Sequence, residues 1–378
     1  MKNQLSQRLE SLDILRGFDL FMLVGLEMAM HHLSVAIDTP AFHSFMWCFM
    51  HVDWEGFSTW DLVMPLFMFM SGITIPFALS RYKDAQDKSL IYKRIFKRVV
   101  LLWIFGMMCQ GNLLGLNPER IYLYSNTLQS IAMGYLISSL LFLHTRIRTQ
   151  IITAIMLLLV YWGAMEFITV NGYGGGNYTP EGNLAEWIDR ELLSRFRDGA
   201  SVVNGEVVFP DWYRYTWILS SLNFGVTVLT GTFAGYILKN KEWMPQKKLT
   251  YLLIIGLSMV AIGWIGGIWH PVIKKLWTSS MVLVSSGYCF LLMALSYYII
   301  DYKGWRKYTN WLKVYGMNSI VAYMLTMCVN FSCIGHSLFH GLEPYMGAYY
   351  QVLITLSNVA IVYFILWCLY KKQLFLRV

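Results

Sequence analysis

Apolar runs of about twenty residues, separated by short polar segments, recur along the whole chain. A membrane-crossing helix needs about 20 predominantly apolar residues. The runs at 14–36, 58–80, 97–115, 121–143, 150–170, 215–238, 249–269, 277–300, 314–334 and 348–370 fit that length. The pattern predicts an all-α, polytopic membrane helical bundle of about ten transmembrane helices, forming a single membrane domain over residues 1–378. The run 58–80 holds Pro65, Gly72 and Pro76. A kink is expected there, tolerated where neighbouring helices satisfy the freed carbonyls. The segment 171–214 is the longest non-span stretch. It opens with a glycine-rich loop, 172–177, and continues with Leu184, Trp187, Ile188, Leu192, Leu193 and Phe196 at helical spacing. Asp189, Arg190 and Glu191 occupy the other face, so a short interfacial helix is expected.

Composition agrees. Of 378 residues, 56% are hydrophobic and 14% charged, and the mean hydropathy is +0.47. Soluble domains carry roughly 25% charged residues, so a soluble enzyme, a disordered chain and a fibrous chain are all excluded. The net charge of +8 suggests no nucleic-acid partner, because the basic residues lie between apolar runs instead of forming one folded face. With the N-terminus placed in the cytoplasm, 23 of the 30 Lys and Arg fall in cytoplasmic segments and 7 in outer ones. This is the bias of the positive-inside rule. It predicts a multi-pass protein of a cell inner (cytoplasmic) membrane, embedded in the lipid bilayer, with both termini cytoplasmic. No cleavable signal peptide is expected, since the first span carries Asp13, Arg16, Asp19 and Glu27. The six cysteines show no paired spacing, so neither a disulfide framework nor a metal site is predicted.

Charged groups within spans are costly and tend to be functional. Asp13, Arg16 and Asp19 are spaced to share one helix face, which serves either an anchoring ion pair or a direct role. Glu27 lies deeper in that span and is a candidate site residue. A second cluster enters the second span: His51, Asp53, Trp54, Glu55 and Asp61. A histidine followed by carboxylates has what a general base needs, because a carboxylate fixes the imidazole tautomer and stabilises the imidazolium. For Asp61 helix capping is the plainer role. A third cluster, Lys93, Arg94, Lys97 and Arg98, either sets topology or holds a phosphorylated ligand. Gln129, Asn223, Lys274, Trp277, Asn318 and Ser319 lie in or beside later spans, where helix–helix hydrogen bonding is the default role.

Several of these residues lie in longer motifs. Arg8-Leu-x-Ser11-x-Asp13-x-x-Arg16-Gly17, His51-x-x-Trp54-x-Gly56 and Asp61-Leu-Val-x-Pro65-x-Phe67-x-Phe69-x-x-Gly72 come first. Leu128-Gln129, Ile188-Asp189-Arg190-x-Leu192-Leu193, Pro271-x-x-Lys274-x-Leu276-Trp277, Gly316-Met-Asn318-Ser319-Ile320 and Leu369-Tyr370-Lys371-Lys372 follow in order. Together they resemble the heparan-alpha-glucosaminide N-acetyltransferase family of transmembrane acyltransferases, over nearly the whole chain. The resemblance implies an enzyme that takes acetyl from cytoplasmic acetyl-CoA, as co-substrate, and delivers it to a glucosamine amine across the membrane. The family's active-site histidine corresponds to His51, and the position nearest its active-site asparagine is Glu27. The sequence lacks the large lumenal N-terminal region of the family's animal enzymes and has Ile273 where the family tends to have Asn; for such a short, bacterial-looking form the expected acceptor is glucosamine or a related small amino sugar.

The roles then expected are these. His51, with Asp61, Glu27 and Asn318, forms the catalytic group. Asp53, Trp54, Glu55, Lys274, Trp277, Gln129 and Ser319 bind the amino sugar. Arg16, Lys93, Arg94, Lys97 and Arg98 hold the polyanionic end of acetyl-CoA, which cannot enter hydrocarbon. Direct transfer in a ternary complex is the expected route, with an acetyl-histidine intermediate as its mechanistic alternative. A transporter of N-acetylated sugars and an O-acetyltransferase of envelope sugars are the competing functions. A homodimer stays open.

Overall fold

A computed structural model describes residues 9–110, 113, 115–117, 121–209 and 215–376. Among them, eight helices are long and apolar enough to cross a membrane: Glu10–Ile37, Thr59–Lys83, Thr127–His144, Ile147–Phe167, Ser220–Lys239, Pro245–Gly266, Ser279–Tyr302 and Tyr349–Lys371. Sheet among the described residues is limited to two small hairpins, Thr169–Val170 with Tyr173–Gly174 and Ser201–Val203 with Glu206–Val208. The chain is thus an all-α polytopic bundle.

Two of the ten expected spans differ from single apolar helices. The run 97–115 falls in the helix Ser89–Cys109, which is long enough to cross but carries Lys93, Arg94, Lys97 and Arg98 in its first half. The run 314–334 is broken. Asn310–Met317 ends at Asn318, Ser319–Cys328 follows, and the chain then bends by 69° into Ser332–Met346. The first span is also irregular: a π-helical turn, Met22–Leu26, interrupts it just before Glu27.

The described residues form two compact units. One contains residues 9–51, 58–63 and 292–376; the other contains 52–57 and the described residues of 64–291. In the first, the N-terminal span crosses Asn310–Met317 at close range: a Cβ on Gly17 would lie 1.8 Å from the Leu312 carbonyl oxygen, and one on Gly316 would lie 1.9 Å from that of Asp13. In the second, Thr59–Lys83 crosses Ser220–Lys239 in the same way. A Cβ on Gly72 would lie 1.9 Å from the Val228 oxygen, and one on Gly231 would lie 1.9 Å from that of Phe69. Small residues at such crossings let backbones meet where no water drives the helices together. Pro76 sits inside its helix without breaking it. It has no N–H to offer Gly72, and Thr232 Oγ1 donates to the Gly72 oxygen instead, at 3.3 Å. The expected rescue of the freed carbonyl by a neighbouring helix is therefore present.

The outer-loop helix forms as Leu184–Leu193, but its buried face differs from the expected one. Glu186 and Asp189 are buried while Leu192 is 68% exposed. The reason is local. The Asp189 carboxylate accepts the backbone N–H groups of Trp217 (2.7 Å) and Ile218 (3.0 Å), and Glu186 bonds Arg190 and Arg197. Burial pushes the Asp189 carboxyl up to about 7, against the two backbone donors and Arg197.

A second network ties this region to the loop before Ser279. The Ser279 N–H donates to His270 Nε2 (3.0 Å), so the proton of neutral His270 sits on Nδ1, 2.9 Å from the Tyr178 hydroxyl. Tyr178 in turn donates to Glu166 Oε2 (2.9 Å). Burial pushes the His270 pKa down to about 4 and that of Tyr178 up.

Two tests follow from this packing. Gly72→Ala is expected to lower stability by about 1–3 kcal/mol through overpacking, read as a lower midpoint of thermal unfolding in detergent. His270 is held neutral in the fold, with a pKa below the ordinary 6.5. Its contribution is therefore complete above pH ~6.5 and is lost as pH falls through ~4. The midpoint should drop across that window, and His270→Gln should flatten the drop.

Candidate functional site

His51 and Asp61 meet as the spacing suggests. The short helix Pro40–Met46 and the turn Trp47–Phe49 lead to His51, and the second span begins at Thr59. His51 Nδ1 lies 2.8 Å from Asp61 Oδ1. Asp61 is 1% exposed, whereas the His51 side chain is 40% exposed. The other carboxylate oxygen of Asp61 accepts the Ser58 backbone N–H (3.0 Å) and hydroxyl (3.1 Å). Ser58 and Asp61 thus form a capping box that starts the helix. The Ser58 hydroxyl also lies 2.6 Å from the Met50 carbonyl, next to His51 in the chain. Capping and orientation, which the sequence posed as alternatives for Asp61, are both served, one by each oxygen. With Nδ1–H directed at a buried carboxylate, the tautomer that puts the lone pair on Nε2 is favoured, as a general base requires. Ser58, which the sequence alone does not single out, is the residue that holds this geometry; an N-cap serine three residues before an acid is its signature.

Other candidates in the same unit are arranged differently. Glu27 is half-buried immediately after the π turn, a distortion frequent at functional sites. The charge of Arg16 acts on buried Asp19, as their shared helix face implies. Asn318 is buried, but its amide is engaged: Nδ2 donates to the Leu374 oxygen (3.0 Å) and Oδ1 accepts the Leu376 N–H (3.2 Å). It ties the C-terminal tail to the helix break. Ser319, beside it, is half-buried.

The second unit brings together segments that are far apart in sequence. Glu55 forms an antiparallel bridge with Ile273, and the Gly56 N–H donates to the Val272 oxygen (2.8 Å). The Asp53 backbone carbonyl accepts a hydrogen bond from Lys275 Nζ (2.7 Å). Trp54 Nε1 donates to the Tyr178 oxygen (2.9 Å). The 53–56 motif, the 271–277 motif and the outer loop are therefore one assembly. Lys274 is buried. Trp277 adopts a left-handed backbone, φ +53°. Its ring nitrogen donates to Thr227 Oγ1 (3.0 Å), and its carbonyl accepts Asn223 Nδ2 (2.7 Å). Gln129 is buried and fully occupied: Oε1 accepts the Ser125 and Asn126 N–H groups, and Nε2 donates to the Leu123 oxygen.

The four basic residues divide into two rows. Lys93 and Lys97 are exposed. Arg94 bonds the Tyr82 hydroxyl (2.8 Å). Arg98 turns inward, its guanidinium 4.1 Å from the Tyr135 ring centre and its Nη2 3.5 Å from Ser71 Oγ. Cations four apart on a helix face the same way, so a row of two exposed lysines lies beside a row of two arginines that contact aromatic rings, of which Arg94 is also exposed.

Residues 8–175 match a family model described as a domain of unknown function, DUF5009. Across 99% of the chain, the sequence is 25% identical to the heparan-alpha-glucosaminide N-acetyltransferase of Homo sapiens. Across 88% of it, the identity with the enzyme of the same name from Mus musculus is 24%. The chain spans 60% and 57% of the lengths of these two relatives. Over most of its length, the chain is thus similar to heparan-alpha-glucosaminide N-acetyltransferases.

Proposed function

We propose that the chain is a transmembrane acetyltransferase of a cell inner membrane. It takes acetyl from acetyl-CoA on the cytoplasmic side and delivers it to the amine of glucosamine or a related amino sugar on the outer side. The activity for which its relatives are named supports the reaction class. The observation that carries the reading is the His51–Asp61 pair, a reachable imidazole held by a buried, doubly anchored carboxylate. The distribution of Lys and Arg supports the sidedness.

The chemistry follows from the reactants. The amino group arrives as an ammonium and must lose a proton before it attacks the thioester. His51 takes that proton, and Asp61 stabilises the imidazolium. The new C–N bond gives a tetrahedral oxyanion, the C–S bond breaks, and the thiol of coenzyme A leaves. Asp53 and Glu55 supply negative charge that attracts the ammonium. We assign oxyanion stabilisation to Lys274, because both amide side chains, Gln129 and Asn318, already bond backbone groups and Ser319 lies beside the C-terminal tail. Lys93, Arg94, Lys97 and Arg98 take the phosphates of the donor.

Purified protein given acetyl-CoA and a panel of amino sugars should release free thiol. His51→Ala is expected to cut kcat by about 10²–10⁴-fold, with Asp61→Asn close behind and KM for acetyl-CoA nearly unchanged in both. Lys93→Ala/Arg94→Ala should instead raise that KM. Equal rates in wild type and His51→Ala would remove the histidine from the mechanism.

A further inference from the structure

Within the first unit, the span Ser279–Tyr302 finishes in a π-helical turn, Tyr297–Tyr302. Gly304, with φ +71°, then reverses the chain, and the Trp305 N–H donates to the Ile299 oxygen (3.0 Å), which closes the helix end. The loop 303–309 thus sits at the tip of a span, the level at which lipid headgroups lie. Glu10 of the N-terminal span holds it there. Its carboxylate takes Arg306 Nε and Lys313 Nζ, each at 2.9 Å. One acid is therefore shared between two cations.

Two further cations remain. Lys303 and Lys307 are exposed, and neither pairs with a carboxylate among the described residues. Asp301, the nearest acid in the chain, is half-buried and accepts the Ser11 hydroxyl. The lysines lie against aromatic rings instead. Lys303 Nζ is 5.6 Å from the Tyr298 ring centre and 5.9 Å from that of Tyr302. Those two rings stack at 5.7 Å. Lys307 Nζ is 5.7 Å from the Tyr308 ring centre. A ring attracts an ammonium without neutralising it. Trp305 is 67% exposed and Tyr308 82%. Amphipathic rings of this kind favour the membrane–water interface, and lysines beside them at that depth meet lipid phosphates. A bare charge bias between spans would need neither the rings nor the fixed turn.

We propose that the 303–308 loop is a docking surface for an anionic phospholipid, whose headgroup meets Lys303 and Lys307 while Trp305 and Tyr308 lie alongside it. The inference is independent of the acetyltransferase reading.

Native mass spectrometry of the detergent-solubilised protein tests it, with phosphatidylglycerol and phosphatidylcholine of the same acyl chains as titrants. The first phosphatidylglycerol should bind at least tenfold more tightly than the first phosphatidylcholine. Lys303→Ser/Lys307→Ser should weaken it by tenfold or more, and Lys303→Arg/Lys307→Arg should retain it. Arg146→Ser/Arg148→Ser removes two exposed cations that contact no ring among the described residues, and should leave the affinity unchanged. Trp305→Ser/Tyr308→Ser should weaken it with the charge intact. Equal losses in the Lys303/Lys307 and Arg146/Arg148 serine pairs, no loss in the former, or equal affinity for the two lipids would overturn the proposal. Glycerol 3-phosphate should bind far more weakly than phosphatidylglycerol; equal affinity would make the occupant a soluble phosphate and would also overturn it.

Discussion

A polar group carried into hydrocarbon has to find its partner inside the protein. That constraint accounts for much of what this chain does with its polar residues. Thr232 covers the carbonyl that Pro76 exposes. Gln129 closes the turn at the start of its helix with three bonds. Asn318 accepts and donates to the C-terminal tail at a point where the helix stops. Each is an intramembrane or membrane-edge polar residue, and each is explained by backbone groups that no water would otherwise satisfy.

Against that background Asp61 stands out for what its second oxygen does. One oxygen meets the structural demand by capping a helix. The other holds an imidazole that is still accessible. A carboxylate anchored in this way cannot swing away from the histidine without undoing a helix start, so the fold itself enforces the orientation. A single carboxylate thus couples the orientation of the imidazole to the start of a helix.

The sequence made the bundle legible because twenty-residue apolar runs have few other uses, and eight of the ten appear as single long helices. It exposed the His51–Asp61 pair because both lie in one short segment ending at a cap. The rest was hidden for physical reasons. The 314–334 run is long and mostly apolar, so it reads as one span, although Asn330 and Ser332 sit at the bend of 69°. Asp189 reads as a solvent-facing acid on an amphipathic helix, yet it is buried, because its partners are backbone N–H groups that any sequence would carry. Likewise Glu55 meets Ile273 through main-chain pairing, which leaves no trace in side-chain pattern. Main-chain partners are what a reading of residue types cannot see.

Trp277 carries one further consequence. A large aromatic residue with φ of +53° holds backbone strain of roughly 1–3 kcal/mol, sustained by Thr227 on its ring and Asn223 on its carbonyl. The turn that carries Lys274 is therefore held rigid by its own main chain and two side-chain anchors, and relaxing either anchor would release that strain.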